Sequence, residues 1–216
     1  MALNKLKYNS LNLTPAANKA ISFDSDADAL EATLGAGSMV FIKKLTASSS
    51  GTLSFVDGSS DVVLDSTYKE YIFICNNIHA SAQSTFSFNF RDGSTDYDAT
   101  KTTTHFYGYH NEAGNSNGLS YTTGSDLAQG TGFQVIADDL TVDNDHNLNG
   151  ILHLFNPSST TFVKHFLGTM QFNSATQSTN SFVAGYCNTT TAIDAVQFKM
   201  TSGNMDTGTI TLYGIN

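Results

Sequence analysis

Four carboxylates crowd the segment DDLTVDNDHN: Asp138, Asp139, Asp143 and Asp145, with Asn144 and His146 between and beside them. Hard oxygen ligands on a loop are the chemistry of a calcium site. A solvated acidic loop has the same composition. A second acidic run, DSDAD, places Asp24, Asp26 and Asp28 at the alternate positions that open a calcium-binding loop. It departs from that pattern at Ala29, where glycine belongs, and at Gly35, where glutamate belongs. The simpler reading of SDADALEATL is a short helix, with Ser25 as its cap, Asp28 three residues on, and Gly35 and Gly37 ending it.

Other reactive side chains are scattered. The histidines are His79, His105, His110, His146, His153 and His165, and no H-E-x-x-H joins any two of them. They read as surface or half-buried strand residues. No G-x-S-x-G, P-loop or G-x-G-x-x-G occurs, and glutamate is confined to Glu31, Glu70 and Glu112, which disfavours paired-carboxylate glycosidase chemistry. No catalytic residue, cofactor or metal is expected. Cys75 and Cys187 both sit in apolar runs and read as buried thiols, with a disulfide left open. Tryptophan is absent, but Tyr107, Tyr109 and Tyr121 flank the Gly/Asn-rich segment NEAGNSNG and form a candidate stacking platform for a sugar.

The elements that must position these residues are strands. Charged residues are only 13% of the 216, and the net charge is −9, so the clustered Lys and Arg of a nucleic-acid surface are missing. No apolar run is long enough to span a membrane, and the start does not read as a signal peptide. From Ser38 onward about eleven segments alternate apolar and polar residues, separated by turn residues. STFSFNFRDG is the clearest, with Phe86, Phe88 and Phe90 on one face. The closing TGTITLYGI reads as an interior strand that the fold cannot lose. The pattern predicts an all-β, jelly-roll-like antiparallel β-sandwich over 38–216. Residues 1–37 lack sustained alternation and are expected to form an extended attachment arm, with Leu6, Tyr8, Leu11 and Leu13 as its anchoring side chains.

Several blocks carry a resemblance: the start MALNKLKYNSLNLTPAANKAISFDSDADAL, then DSTYKEYIFICNNIHAS, FNFRDGSTDYDATKTTT, SDLAQGTGFQ, LHLFNPSSTTFVKHF and the ending GYCNTTTAIDAVQFKMTSGNMDTGTITLYGIN. Together they resemble virion proteins of tailed aquatic bacteriophages, and the ending looks like the C-terminal strand of phage tail-fibre and head-surface proteins. The resemblance implies a non-enzymatic structural protein on the virion surface, made in the host cytoplasm and released by lysis. Its partners would be other capsid or tail proteins, and a homotrimer is the expected assembly. Capsid decoration docked through the arm is the leading reading. A tail-fibre or receptor-binding protein that takes a host surface glycan is the alternative.

Overall fold

A strand needs a partner for its backbone polar groups, and the described segments find theirs almost entirely in antiparallel ladders. The computed structural model describes strands Lys19–Phe23 and Leu30–Leu34 and residues 38–216. The chain divides into two compact units, Met1–Val40 and Phe41–Asn216.

In the first unit, β1 (Lys19–Phe23) pairs antiparallel with β2 (Leu30–Leu34), from Lys19 opposite Leu34 to Phe23 opposite Leu30. This corrects the expected helix, because its second half, Leu30–Leu34, is strand. A helix of about ten residues is marginal alone, and the neighbouring KAISF supplies a complete set of ladder partners instead. Ser25, the carboxylates Asp24, Asp26 and Asp28, and the arm residues Leu6, Tyr8, Leu11 and Leu13 lie outside the described residues.

Twelve further strands follow: β3 (Met39–Thr46), β4 (Thr52–Val56), β5 (Glu70–Ala80), β6 (Ser84–Arg91), β7 (Lys101–Asn111), β8 (Asn117–Tyr121), β9 (Gln134–Leu140), β10 (Leu148–Phe155), β11 (Lys164–Ser174), β12 (Gln177–Cys187), β13 (Ala195–Met200) and β14 (Met205–Ile215). They form an eight-stranded sheet in the order β3-β14-β5-β10-β11-β12-β7-β8 and a four-stranded sheet in the order β4-β13-β6-β9. The described residues are therefore all-β, and β3–β14 form two antiparallel sheets arranged as a sandwich.

Aromatic rings fill the space between the sheets. Phe198 of β13 contacts Phe55, Phe73, Phe86 and Phe88, and Phe88 meets Phe166 of β11 edge-on at 5.4 Å. All six rings are buried. Phe86, Phe88 and Phe90 do share the core face of β6. The opposite face of β6 is buried as well, at Ser87 and Asn89. Cys75 and Cys187 are free thiols with no exposure. Burial pushes both up, Cys187 to about 12, so neither is a thiolate near neutral pH. β14 lies inside the sheet, between β3 and β5, as its pattern predicts.

Candidate functional site

The segment THFYGYH alternates, so His105, Tyr107 and Tyr109 of β7 share one face and Phe106, Gly108 and His110 the other. The register of β7 with β8 then sets Tyr121 opposite Phe106, and Tyr107 opposite Ser120. The three tyrosines do not converge. Tyr107 and Tyr109 lie together, ring centroids 6.0 Å apart, with Tyr109 packed over Gly118. Tyr121 sits on the other face of the sheet and donates its hydroxyl to Asp126 Oδ2 at 2.7 Å. A two-residue tyrosine wall remains of the expected platform.

Tyr107 of that wall borders a cavity of about 100 Å³, lined from β7, β9, β11 and β12, where β9 packs against β11 and β12. His105, Tyr107, Asp138, Asp139, Ser174 and Ser181 contribute to its lining. His105 is not the half-exposed strand histidine expected, since it is 1% exposed. Ser181 donates its hydroxyl to the Ile136 carbonyl at 2.6 Å, which uses its only proton. The 2.9 Å contact between Ser181 Oγ and His105 Nε2 is then a donation from the imidazole. The Nε2–H tautomer follows, and Nδ1 is left a bare acceptor, buried and without a partner. Burial lowers the His105 pKa, against the pull of Asp138 and Asp126, so the ring is neutral at pH 7. An imidazole that donates to the serine does not act as its base, and Ser181 is not arranged as a nucleophile.

The carboxylate at the mouth is fixed by its neighbours. Asp139, at φ 54°, accepts from Gln83 Nε2 at 2.6 Å and from Ser174 Oγ at 2.8 Å. Carboxylates, hydroxyls, the Gln177 amide and the Tyr107 ring make a surface suited to a small, hydroxyl-rich ligand.

The acidic loop does not close into one oxygen cage. Asp138 and Asp139 belong to the cavity. Asp143 and Asp145 turn instead to His146, at 3.7 and 3.9 Å, and His79 reaches the Asp143 carbonyl at 3.3 Å. Among the described residues, no three His, Cys, Asp or Glu side chains gather into a metal-binding group.

A second surface is defined by what it lacks. On the outward side of the eight-stranded sheet, Ile151, Thr169, Phe182, Phe106 and Tyr121 stand in register across five strands. Phe106 and Phe182 stack at 5.0 Å. The row beside it runs His153, Leu167, Ala184, Thr104. Among the described residues, none of the outward positions of β7, β8, β10, β11 and β12 is Asp, Glu, Lys or Arg. Leu167 remains 43% exposed and Leu119 75%. In a chain carrying 19 acidic and 10 basic residues, such a face is a candidate contact surface.

Comparisons with protein-family models, with curated proteins and with solved structures match nothing.

Proposed function

We propose that this chain is a non-enzymatic structural protein of a phage virion, most simply a capsid-surface decoration. The outer face of β7, β8, β10, β11 and β12, whose outward strand positions hold no Asp, Glu, Lys or Arg, would pack against neighbouring subunits. The observation that carries this reading is that five-stranded face, aromatic and without a charged strand position on an otherwise acidic protein, with the carboxylates of Glu70, beside His153, and Asp126, beside Tyr121, at its margins. Two aspects of the chain support it further. Its sequence blocks resemble phage virion proteins. Its strand path also suits the role: with the hairpins β7–β8 and β11–β12 set aside, the remaining strands run β3-β14-β5-β10 in one sheet and β4-β13-β6-β9 in the other. We read that path as a jelly roll, an architecture used by viral capsid proteins and lectins alike. Fold alone assigns no role, so the argument rests on the face.

The reading predicts a homo-oligomer, with a trimer expected. Native mass spectrometry of the purified chain at micromolar concentration should show it, and Leu167→Asp together with Phe106→Asp should reduce it to a folded monomer. A wild-type chain that stays monomeric and does not associate with purified particles would refute the assignment.

The cavity favours a second reading, a receptor-binding protein that takes a host surface glycan. Here Tyr107 stacks on a sugar ring while the Asp138 and Asp139 carboxylates accept from its hydroxyls. Glycan-array binding that disappears with Tyr107→Ala and persists with Tyr121→Ala would select it. Silence across a broad array would remove it.

A further inference from the structure

Among the described residues, two lysines, Lys101 and Lys164, are wholly buried, which lysine almost never is without a reason. Lys101 of β7 and Lys164 of β11 flank Cys187 of β12, each directly opposite it in the ladder. Lys164 Nζ donates to two loop carbonyls, of Thr191 at 2.6 Å and Thr189 at 3.1 Å. Lys101 differs. Its Nζ donates to the Ala99 carbonyl at 2.6 Å and to the side-chain oxygen of Asn89 at 2.5 Å. Asn89 lies on β6, so this contact bridges the eight-stranded and four-stranded sheets.

The carboxamide of Asn89 is itself buried and held on every side. Its Oδ1 also accepts the Phe90 backbone N–H at 2.8 Å. Its Nδ2 donates to the carbonyls of Tyr97 and of Thr131, the latter at 3.0 Å. The amine meets two acceptors, which suits the two N–H bonds and one lone pair of neutral –NH₂ better than the three donors of an ammonium. Burial, opposed by Asp98 and Asp92, lowers the Lys101 pKa to about 8, so a neutral fraction exists at ordinary pH. The amine, with a neutral fraction at ordinary pH, is thus held beside an amide group whose carbonyl is already polarised by a fixed backbone donor, both side chains without solvent exposure. Proximity, a polarised carbonyl and a dry site favour acyl transfer.

We propose that Lys101 and Asn89 form an intramolecular isopeptide bond that joins the two sheets. Nζ of the neutral lysine attacks Cγ of Asn89, and the Phe90 N–H steadies the charge that develops on Oδ1. A proton passes from Nζ to Nδ2 within the tetrahedral adduct. The Cγ–Nδ2 bond breaks and Nδ2 leaves as ammonia. One amide replaces another, nothing is oxidised or reduced, and no cofactor is consumed. The cross-link closes the short connection between β6 and β7, just where the inserted hairpin β7–β8 departs from β6.

The test is the mass of the full chain. Loss of ammonia makes it about 17 Da lighter than its sequence requires. Under denaturing conditions trypsin should cut after Lys69 and Arg91 but not after a modified Lys101. Residues 70–91 and 92–164 should then emerge as one branched species, about 17 Da below the sum of the two peptides. Lys101→Arg should restore the full mass and the separate peptides. Two results overturn the proposal. One is a wild-type chain of full mass that is cleaved at Lys101. The other is the same mass loss found on linear peptides, as a succinimide at an Asn-Gly step would give.

Discussion

Phe198→Ala tests whether the two sheets meet where the rings place them. Phe198 has no solvent exposure, and its ring centroid lies 5.6 Å from Phe73, 5.8 Å from Phe86, 6.3 Å from Phe88 and 6.4 Å from Phe55. These partners come from three strands and both sheets. Removing the ring forfeits about 3 kcal/mol of burial. The surrounding rings pack against one another and against the backbone, so the void closes poorly and adds a cavity cost. The total should be about 4–5 kcal/mol, at the upper end for a buried phenylalanine. For a chain of this length that lowers Tm by roughly 8–20 °C. Urea unfolding followed by far-UV circular dichroism and tyrosine fluorescence reads the change, since the chain has no tryptophan to dominate the emission. Phe162→Ala, at a ring 68% exposed, is the control and should stay within about 0.5 kcal/mol of wild type. A Phe198→Ala loss under about 2 kcal/mol would refute the packing argument, because it would mean the ring is not enclosed by both sheets.

Three further outcomes are expected. Deleting residues 209–216 removes most of a strand bonded on both sides and should abolish cooperative unfolding; a truncated chain with a sharp transition would contradict its interior position. Gly214→Ala should cost about 1–3 kcal/mol, because a Cβ there would lie 2.2 Å from the Tyr68 ring, and a neutral result would mean that ring moves freely. The third concerns pH. The folded pKa of His105 lies below its ordinary 6.5, so as pH falls the unfolded chain takes up this proton first. The neutral ring's stabilising share is full above pH 6.5 and drains away as pH falls from there toward the folded value. His105→Gln should therefore flatten part of the stability loss between pH 7 and 5, and an unchanged slope would show that the imidazole is free to charge in the folded state.

Much of the fold was legible because a half-buried strand writes its burial into alternation. STFSFNFR sets its three phenylalanines on one face, and the segments read from the sequence, about eleven, fall on strands of the sandwich, although β5, β6 and β14 bury residues of both parities. The same rule, applied to THFYGYH, already joins His105 to Tyr107 and Tyr109; the signal for the cavity was present in that parity. Tyr121 could not be placed, because its face depends on the register of a hairpin closed by a Gly/Asn-rich segment. Sheet order was equally hidden, since β14 bonds to strands far away in the chain. The helix expected over 25–34 failed where local capping lost to ladder pairing. Lys101 was invisible for a different reason. Lysine reads as surface, and only the loop geometry around Ala99 and Thr131 reveals that its amine ends on Asn89.

The place of β14 also bears on how quickly the fold is reached. Its neighbours, β3 and β5, are separated from it by most of the domain, so nearly the whole intervening chain must be gathered before those ladders can close. Local hairpins such as β11–β12 can form in microseconds, whereas loop-closure entropy delays the long-range pairings into the range of milliseconds to seconds. Until β14 inserts, β3 has no ladder partner and β5 presents an unpaired edge. The interval between hairpin formation and that insertion is the period in which this chain is most exposed to strand-to-strand aggregation.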